Sequence, residues 1–568
     1  MTSQNQNEIT SENYADLILG YYGDRNVLST FPEETTEIID ATHAIVHVPI
    51  EEINERTIQE YGYSAMPNLY GLTSRASLEA SGILRTRNVP FFDLHGQGVL
   101  LGIVDTGIDY TNPIFKNADN TTRILSIWDQ SIATGPPPVL MKYGTEYQRD
   151  QINEALRSER PYDLVPSRDT DGHGTMLAGI AGGSENLQAD FSGVASDAEF
   201  VIVKLKQAKQ YLKEFFFIQG DAPCYQENDI LYAVGYLVLT ALTLRKPMAV
   251  MLALGTSQGG HSGRGVLDKY INSLSLSFGI ATVISAGNEG NGRRHYHGIV
   301  NQPLGYDVVE LYVGENEKGF SMELWGEAPN VFSFDVLSPS GEYIPRVAGG
   351  ISESLTLSFV FEQTIIYVDY QMVEAQTGDQ LILFRFNRPA PGIWRFNIYG
   401  RGNLELEFNI WLPMGNFISD NVYFIRSNPY TTILGPGNAN IPITATAYNI
   451  QDGSLYSDAS RGYTTRNAIK PTIAAPGVNV TGPTLEGGFH DYRGTGVAAA
   501  HLAGAAALLL EWGIVRGNLT SMSTIEIKKL MIRGARRDPI LTYPNREWGY
   551  GILDLYNVFD SLRGGIIV

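Results

Sequence analysis

Four short apolar runs, at residues 99–104, 200–205, 248–254 and 280–284, each break off in a Gly-rich or polar turn. Helical patterns lie between them, over 266–276 and in the stretch that follows His173. Nearly continuous apolar strands that alternate with helices must bury both faces, which predicts a parallel sheet covered by helices on either side. In such α/β sheets functional residues gather at the carboxyl ends of the strands.

The rest of the chain keeps a different rhythm. From about Leu304 to Ser427 short alternating runs, such as 308–313, 332–336, 355–361, 364–368, 381–386, 394–398 and 404–410, are separated by turn signals like Ser338-Pro339-Ser340-Gly341. That pattern predicts an all-β sandwich or jelly roll inserted into the α/β unit, which resumes after Tyr430. Its aromatic residues, among them Tyr367, Tyr370, Phe384, Phe386 and Trp394, are expected in the sandwich core. Residues 1–65 form a separate opening segment with a strand over Ala44-Ile45-Val46-His47-Val48, which fits a small α+β unit. A Gly- and Pro-containing junction, YGYSAMPNLYGL, follows at 61–72. The expected division is 1–65, 66–303, 304–429 and 430–568, which accounts for a chain of 568 residues where single domains run to roughly 100–200.

Composition removes several function classes. Lys plus Arg number 41 against 61 Asp plus Glu, a net charge of −20 that repels nucleic acid and anionic lipid. The single cysteine, Cys224, excludes an intramolecular disulfide framework and a multi-cysteine zinc site. The N-terminus has no basic segment followed by an apolar one, so synthesis inside the cell without a signal peptide is expected. The longest apolar charge-free stretches, 230–244 and 494–510, are short for a membrane span and are read as buried helices.

Four motifs fall at strand ends or helix starts. Asp105 closes an apolar strand in V-D-T-G-I-D, and His173 lies in D-T-D-G-H-G-T. Asn288 follows a strand in S-A-G-N-E-G, and R-G-T-G-V-A-A-A-H-L-A-G over 493–504 is a tight turn entering a small-residue helix. An acid to orient a base, an imidazole to take a proton and an amide to hold an oxyanion are the parts of acyl-transfer chemistry. Taken singly, a strand-terminal Asp is as readily a cap and a lone His as readily structural. Asp169, Asp171 and His173 also share the spacing of a metal cluster, but no continuous calcium loop occurs and no cofactor or metal is predicted. Arg293, Arg294, His295 and His297 read as a basic loop patch, either solvated and salt-bridged or a seat for an anion.

These four blocks, with Ile473-Ala474-Ala475-Pro476-Gly477, resemble the subtilisin-like serine peptidases over about 91–303 and 430–554. The resemblance implies that Asp105 orients the imidazole, that His173 is the general base and that the Asn288 amide faces the oxyanion. At the position of the family's nucleophilic serine stands Gly496, and Ala500 replaces a family proline. Glycine has no nucleophilic atom, so a base and an oxyanion site have nothing to activate. Thr495 and Ser285 are the nearest hydroxyls, and their motif positions point them elsewhere.

Within that family, a short prodomain and an inserted jelly roll resemble the Csp germination proteins of clostridial spore formers, CspC-like or CspA-like members in particular. That resemblance implies a spore-associated pseudoprotease that senses a small-molecule germinant or controls an active Csp protease, with other Csp-family proteins or a cortex-lytic zymogen as partners. It leaves open a serine endopeptidase mutated at position 496 and a structural spore-layer protein. It also implies a prodomain that stays attached, with residues 61–66 lying in the cleft as a strand.

Overall fold

The computed structural model describes residues 9–562 apart from 30, 33–34, 55, 73–80, 82–92, 219, 221, 302 and 486. The first eight residues of the opening segment, and most of the stretch from Leu72 to the first motif, therefore lie outside the described residues.

A nine-stranded sheet forms the centre, in the order Phe489–Arg493, Ile473–Pro483, Ile443–Asn449, Ile280–Ser285, Met248–Leu252, Leu100–Asp105, Glu199–Lys204, Ile124–Asp129 and Thr145–Gln148. The inner seven strands are parallel and the two edge strands antiparallel. Alternate side chains of one strand feed opposite cores. Leu101 and Ile103 join the helices His173–Gly182 and Thr495–Leu510, whereas Leu100 and Val104 join Glu227–Leu244 and Val266–Leu274. Both faces are thus buried, as the apolar runs require. The helical stretch Thr495–Val515 is apolar and long enough to cross a membrane, yet 89% of its most apolar 18-residue window is buried inside the protein.

Residues 295–424 build two antiparallel sheets of six and five strands. Their facing sides share an aromatic core, with Phe334 against Phe384 at 4.7 Å and Phe386 against Trp394 at 5.7 Å. Tyr370, Phe384, Phe386 and Trp394 lie in that core. Tyr367 does not: it is half-buried on the other face, beside the Arg385 guanidinium. The first strand, His295–Ile299, starts within the basic patch rather than after Leu304. His295 is buried and stacks on Trp411 at 4.9 Å, while Arg294 is paired with Glu289 and Asp420. The patch is therefore a strand start in which Arg294 is salt-bridged and His295 buried, while Arg293 stays exposed over the Tyr423 ring.

The opening segment forms a three-stranded antiparallel sheet with His43–Pro49 between Tyr14–Gly20 and Thr36–Ile38. Ile18 and Ile45 pack against the core of Glu227–Leu244. Beneath this contact Asp16 is fully buried and accepts hydrogen bonds from His47 Nδ1 at 2.7 Å, Lys209 Nζ at 2.9 Å and Gln226 Nε2 at 2.9 Å. Burial opposes ionisation there, but the Lys209 charge, the His47 hydrogen bond and the Lys206 field outweigh it and hold the carboxyl well below its usual range.

A second buried carboxylate, Glu323, joins all three parts. It accepts from Tyr63 OH of the opening segment at 2.5 Å, from Gly259 N beside the central sheet at 2.8 Å, and from Trp325 Nε1 of its own strand at 3.0 Å.

Three buried imidazoles, His261, His295 and His501, are kept neutral by burial, with affinities for protons pushed down to about 4, 3 and 3. The unfolded chain protonates near its ordinary value of about 6.5, so each histidine withdraws stability as pH falls from there. Replacing one, His261→Gln, is expected to lower the unfolding free energy at pH 7 but to flatten its decline toward acid pH, by about 1 kcal/mol per pH unit between pH 6 and 4.5. Urea unfolding of both proteins across that range checks it.

Candidate active site

The four motifs meet at the carboxyl edge of the central sheet. Asp105 ends one strand and Asn288 follows another, and these two strands flank Met248–Leu252 on either side. His173 starts its helix directly after Gly172, whose φ of 92° lies in the left-handed region that glycine tolerates. The head of that helix is held by Asp169 rather than by a residue at the cap position. One oxygen accepts from Asp171 N and Gly172 N, the other from Thr175 N and Thr175 Oγ1. Asp169 is thus a turn and helix cap, which accounts for the acidic spacing without a metal. Close packing explains the glycine after the histidine, since a Cβ on Gly174 would stand 2.2 Å from the Gly107 carbonyl oxygen.

Asp105 is fully buried, and its Oδ1 accepts from His173 Nδ1 at 2.7 Å, from Thr106 N at 2.8 Å and from Thr106 Oγ1 at 3.2 Å. The Thr106 hydroxyl in turn accepts from Gly174 N at 2.9 Å, tying the aspartate loop to the histidine helix. An imidazole that donates Nδ1–H to a carboxylate keeps its lone pair on Nε2, the arrangement of a general base. Asp171, beside it, is pushed up in proton affinity by burial and by the nearby Asp169 and Asp105 charges, against the pull of His173.

At the opposite side of the site, Asn288 Oδ1 accepts from Thr495 N and Thr495 Oγ1, both at 3.1 Å. These bonds fix the amide plane and turn Nδ2 the other way. Thr495 Oγ1 also accepts from Gly287 N at 3.0 Å, so its hydroxyl is committed on both sides and is no substitute nucleophile. Ser285 ends a fully buried strand within the sheet. Gly496 follows Thr495 in the first turn of the buried helix Thr495–Leu510 and brings no side chain to this edge.

Close to this edge the chain pairs with itself. Leu69–Leu72 forms the middle strand of a three-stranded antiparallel sheet, pairing Leu69 and Tyr70 with Gln226 and Tyr225, and Gly71 and Leu72 with Gly255 and Leu254. Residues 61–66, expected to supply this strand, instead finish a short helix and make a turn over Tyr63–Ala65. Gly62 with a φ of 87° ends the helix, and the Tyr63 bond to Glu323 anchors the turn, so the chain extends only beyond Pro67. The two flanking strands are two residues long, too short for periodicity to reveal.

Comparison with known proteins agrees with this geometry. The model of the subtilase family matches residues 96–310 and 413–551. Among solved structures, the Clostridium perfringens CspB protease is 30% identical, with a TM-score of 0.76 over 85% of this chain and 97% of that one. Two Arabidopsis thaliana proteins also match, the subtilisin-like proteases SBT2.2 (22% identical over 197 residues) and SBT3.6 (23% over 205). Those alignments take in 33% and 34% of this chain, and only 21% and 26% of the plant proteins' own length.

Thr495→Val removes one donor to Asn288 and leaves the buried Gly287 N–H without its acceptor. The expected cost is about 1–3 kcal/mol, whereas Thr495→Ser, which keeps the hydroxyl, stays within about 1 kcal/mol. Chemical unfolding of both variants measures the difference.

Proposed function

The chain belongs to the subtilase family, and on that premise we propose that it is a pseudoprotease. In this reading Asp105 orients His173, His173 is positioned as the general base, Asn288 faces the oxyanion position, and Gly496 stands where the nucleophilic serine would be. The observation that carries it is Gly496 itself, next to a Thr495 hydroxyl that is fully engaged. Without a nucleophile no acyl-enzyme forms. In subtilisin, loss of the serine costs about 2 × 10⁶ in kcat, leaving roughly 10³–10⁴ over water from binding and the oxyanion site.

The likeness to the CspB protease supports a place among the Csp proteins, and the missing serine favours a CspA-like or CspC-like member. The division that goes with it is a prodomain over 1–65, subtilisin-like parts at 66–303 and 430–568, and a jelly roll at 304–429. The function we infer is regulation of bacterial spore germination in a spore-associated protein, by control of an active Csp protease or by germinant sensing. The prodomain remains joined, its following strand filling the cleft. A second reading is favoured by the undisturbed Asp105–His173 bond: an endopeptidase that processes a cortex-lytic zymogen, mutated at position 496. The gene's codon for that position separates the two.

Labelling with a fluorophosphonate, which reacts with activated serines, tests the site. The protein as it stands is expected to remain unlabelled, and Gly496→Ser to label in a manner abolished by adding His173→Ala. Labelling of the unaltered chain overturns the pseudoprotease reading. An inert Gly496→Ser chain that is folded by thermal melt overturns the assigned roles of Asp105, His173 and Asn288.

A further inference from the structure

A cavity of about 50 Å³ lies where the three parts of the protein meet, lined by Tyr63 of the opening segment, Trp325 of the antiparallel sheets, and Gln258, Asp268 and Asn438 from around the central sheet. It is separate from Asp105, His173 and Gly496. Three polar atoms in its lining are buried and meet no hydrogen-bond partner among the described residues: Asp268 Oδ1, Asn438 Oδ1 and Gln258 Nε2. Asp268 and Asn438 are only 9% and 2% exposed.

The orientation of each group is fixed from behind. Asp268 Oδ2 accepts from Gly265 N at 3.0 Å, Asn438 Nδ2 donates to the Ile433 carbonyl at 2.9 Å, and Gln258 Oε1 accepts from Leu69 N at 2.8 Å. Two acceptors, one of them a carboxylate, and one neutral donor are therefore left unpaired on residues that line a single space. Orphaned buried groups of this kind are costly unless something completes them.

The chemistry of the occupant follows from which groups are left over. A monatomic cation would satisfy the two oxygens and oppose the amide N–H₂, while an anion would satisfy only the amide. Water alone would leave the buried Asp268 charge uncompensated. Burial already pushes the Asp268 carboxyl up to about 6, against the Gly265 N–H and the Lys470 and Lys269 fields. Glu227 and Glu374 also line the space, their carboxylates engaged by backbone N–H groups, so a second negative group is unwelcome. A water needs roughly 10–15 Å³ measured this way, so the cavity holds an occupant of about four heavy atoms.

We propose that this cavity binds a small primary ammonium with a neutral oxygen beside it, the ammonium donating to Asp268 Oδ1 and Asn438 Oδ1 and the oxygen accepting from Gln258 Nε2. Gln258 also holds the Leu69 N–H, and Glu227 holds the Asn68 N–H, so the occupant bears on the strand that fills the cleft. The site goes beyond the pseudoprotease reading and does not depend on Gly496.

Calorimetric titration of the whole chain with ethanolamine, methylammonium and glycine tests it. Saturable binding of ethanolamine is expected, with glycine weaker by about tenfold or more because its carboxylate meets an acidic wall. Asp268→Asn, which keeps shape and removes charge, is expected to abolish the binding. Gln258→Met is expected to weaken ethanolamine about tenfold and leave methylammonium unchanged, and it decides the matter if Asp268→Asn fails to fold. No saturable ethanolamine binding, glycine binding as tight, or unchanged binding in a folded variant overturns the proposal.

Discussion

The strand Leu69–Leu72 is the constraint on which the rest of the assembly depends. Its two neighbours, Tyr225–Gln226 and Leu254–Gly255, are strands only because it lies between them. Buried backbone N–H and C=O groups must be paired, and here the cleft walls are paired by the chain's own backbone. That single strand links the opening sheet to the carboxyl edge of the central sheet, where Asp105, His173, Asn288 and Gly496 gather.

Two buried carboxylates hold the surroundings of the strand near Leu69. Asp16 reaches Gln226, the residue opposite Leu69, and is compensated by Lys209 and His47. Glu323 binds Tyr63 just upstream of the strand and Gly259 just beyond Leu254–Gly255. Buried charges contribute little net stability when complete, but removing one partner is expensive. Such pairs therefore favour one arrangement of the three parts over partly docked alternatives. Under the proposed pseudoprotease reading, with Gly496 at the serine position, this linkage stays covalently closed.

Much of the central sheet was legible because strands buried on both faces spell out apolar runs. The motifs at their ends were legible because sheet topology brings strand termini together, and the Asp105–His173 bond follows from that placement. Other features lay below the reach of periodicity. Ile124–Asp129 and Thr145–Gln148 sit toward the sheet edge and carry polar residues. His295 looked like part of a charged loop because the sequence does not show that its ring stacks on Trp411. Residues 61–66 looked like the cleft strand because an extended segment and a Gly-rich turn have similar composition. The three-way contact at Glu323 joins residues 260 apart in the chain at Tyr63, and no local pattern encodes it.

On the proposed reading this chain does not process itself, and the opening sheet, the strand Leu69–Leu72 and the central sheet stay one polypeptide. Intact-mass measurement on the purified whole chain, incubated without added protease, is the most direct test. A single species with the mass of the entire chain is expected throughout the incubation. A species that begins shortly after Leu72 and accumulates with time would contradict it.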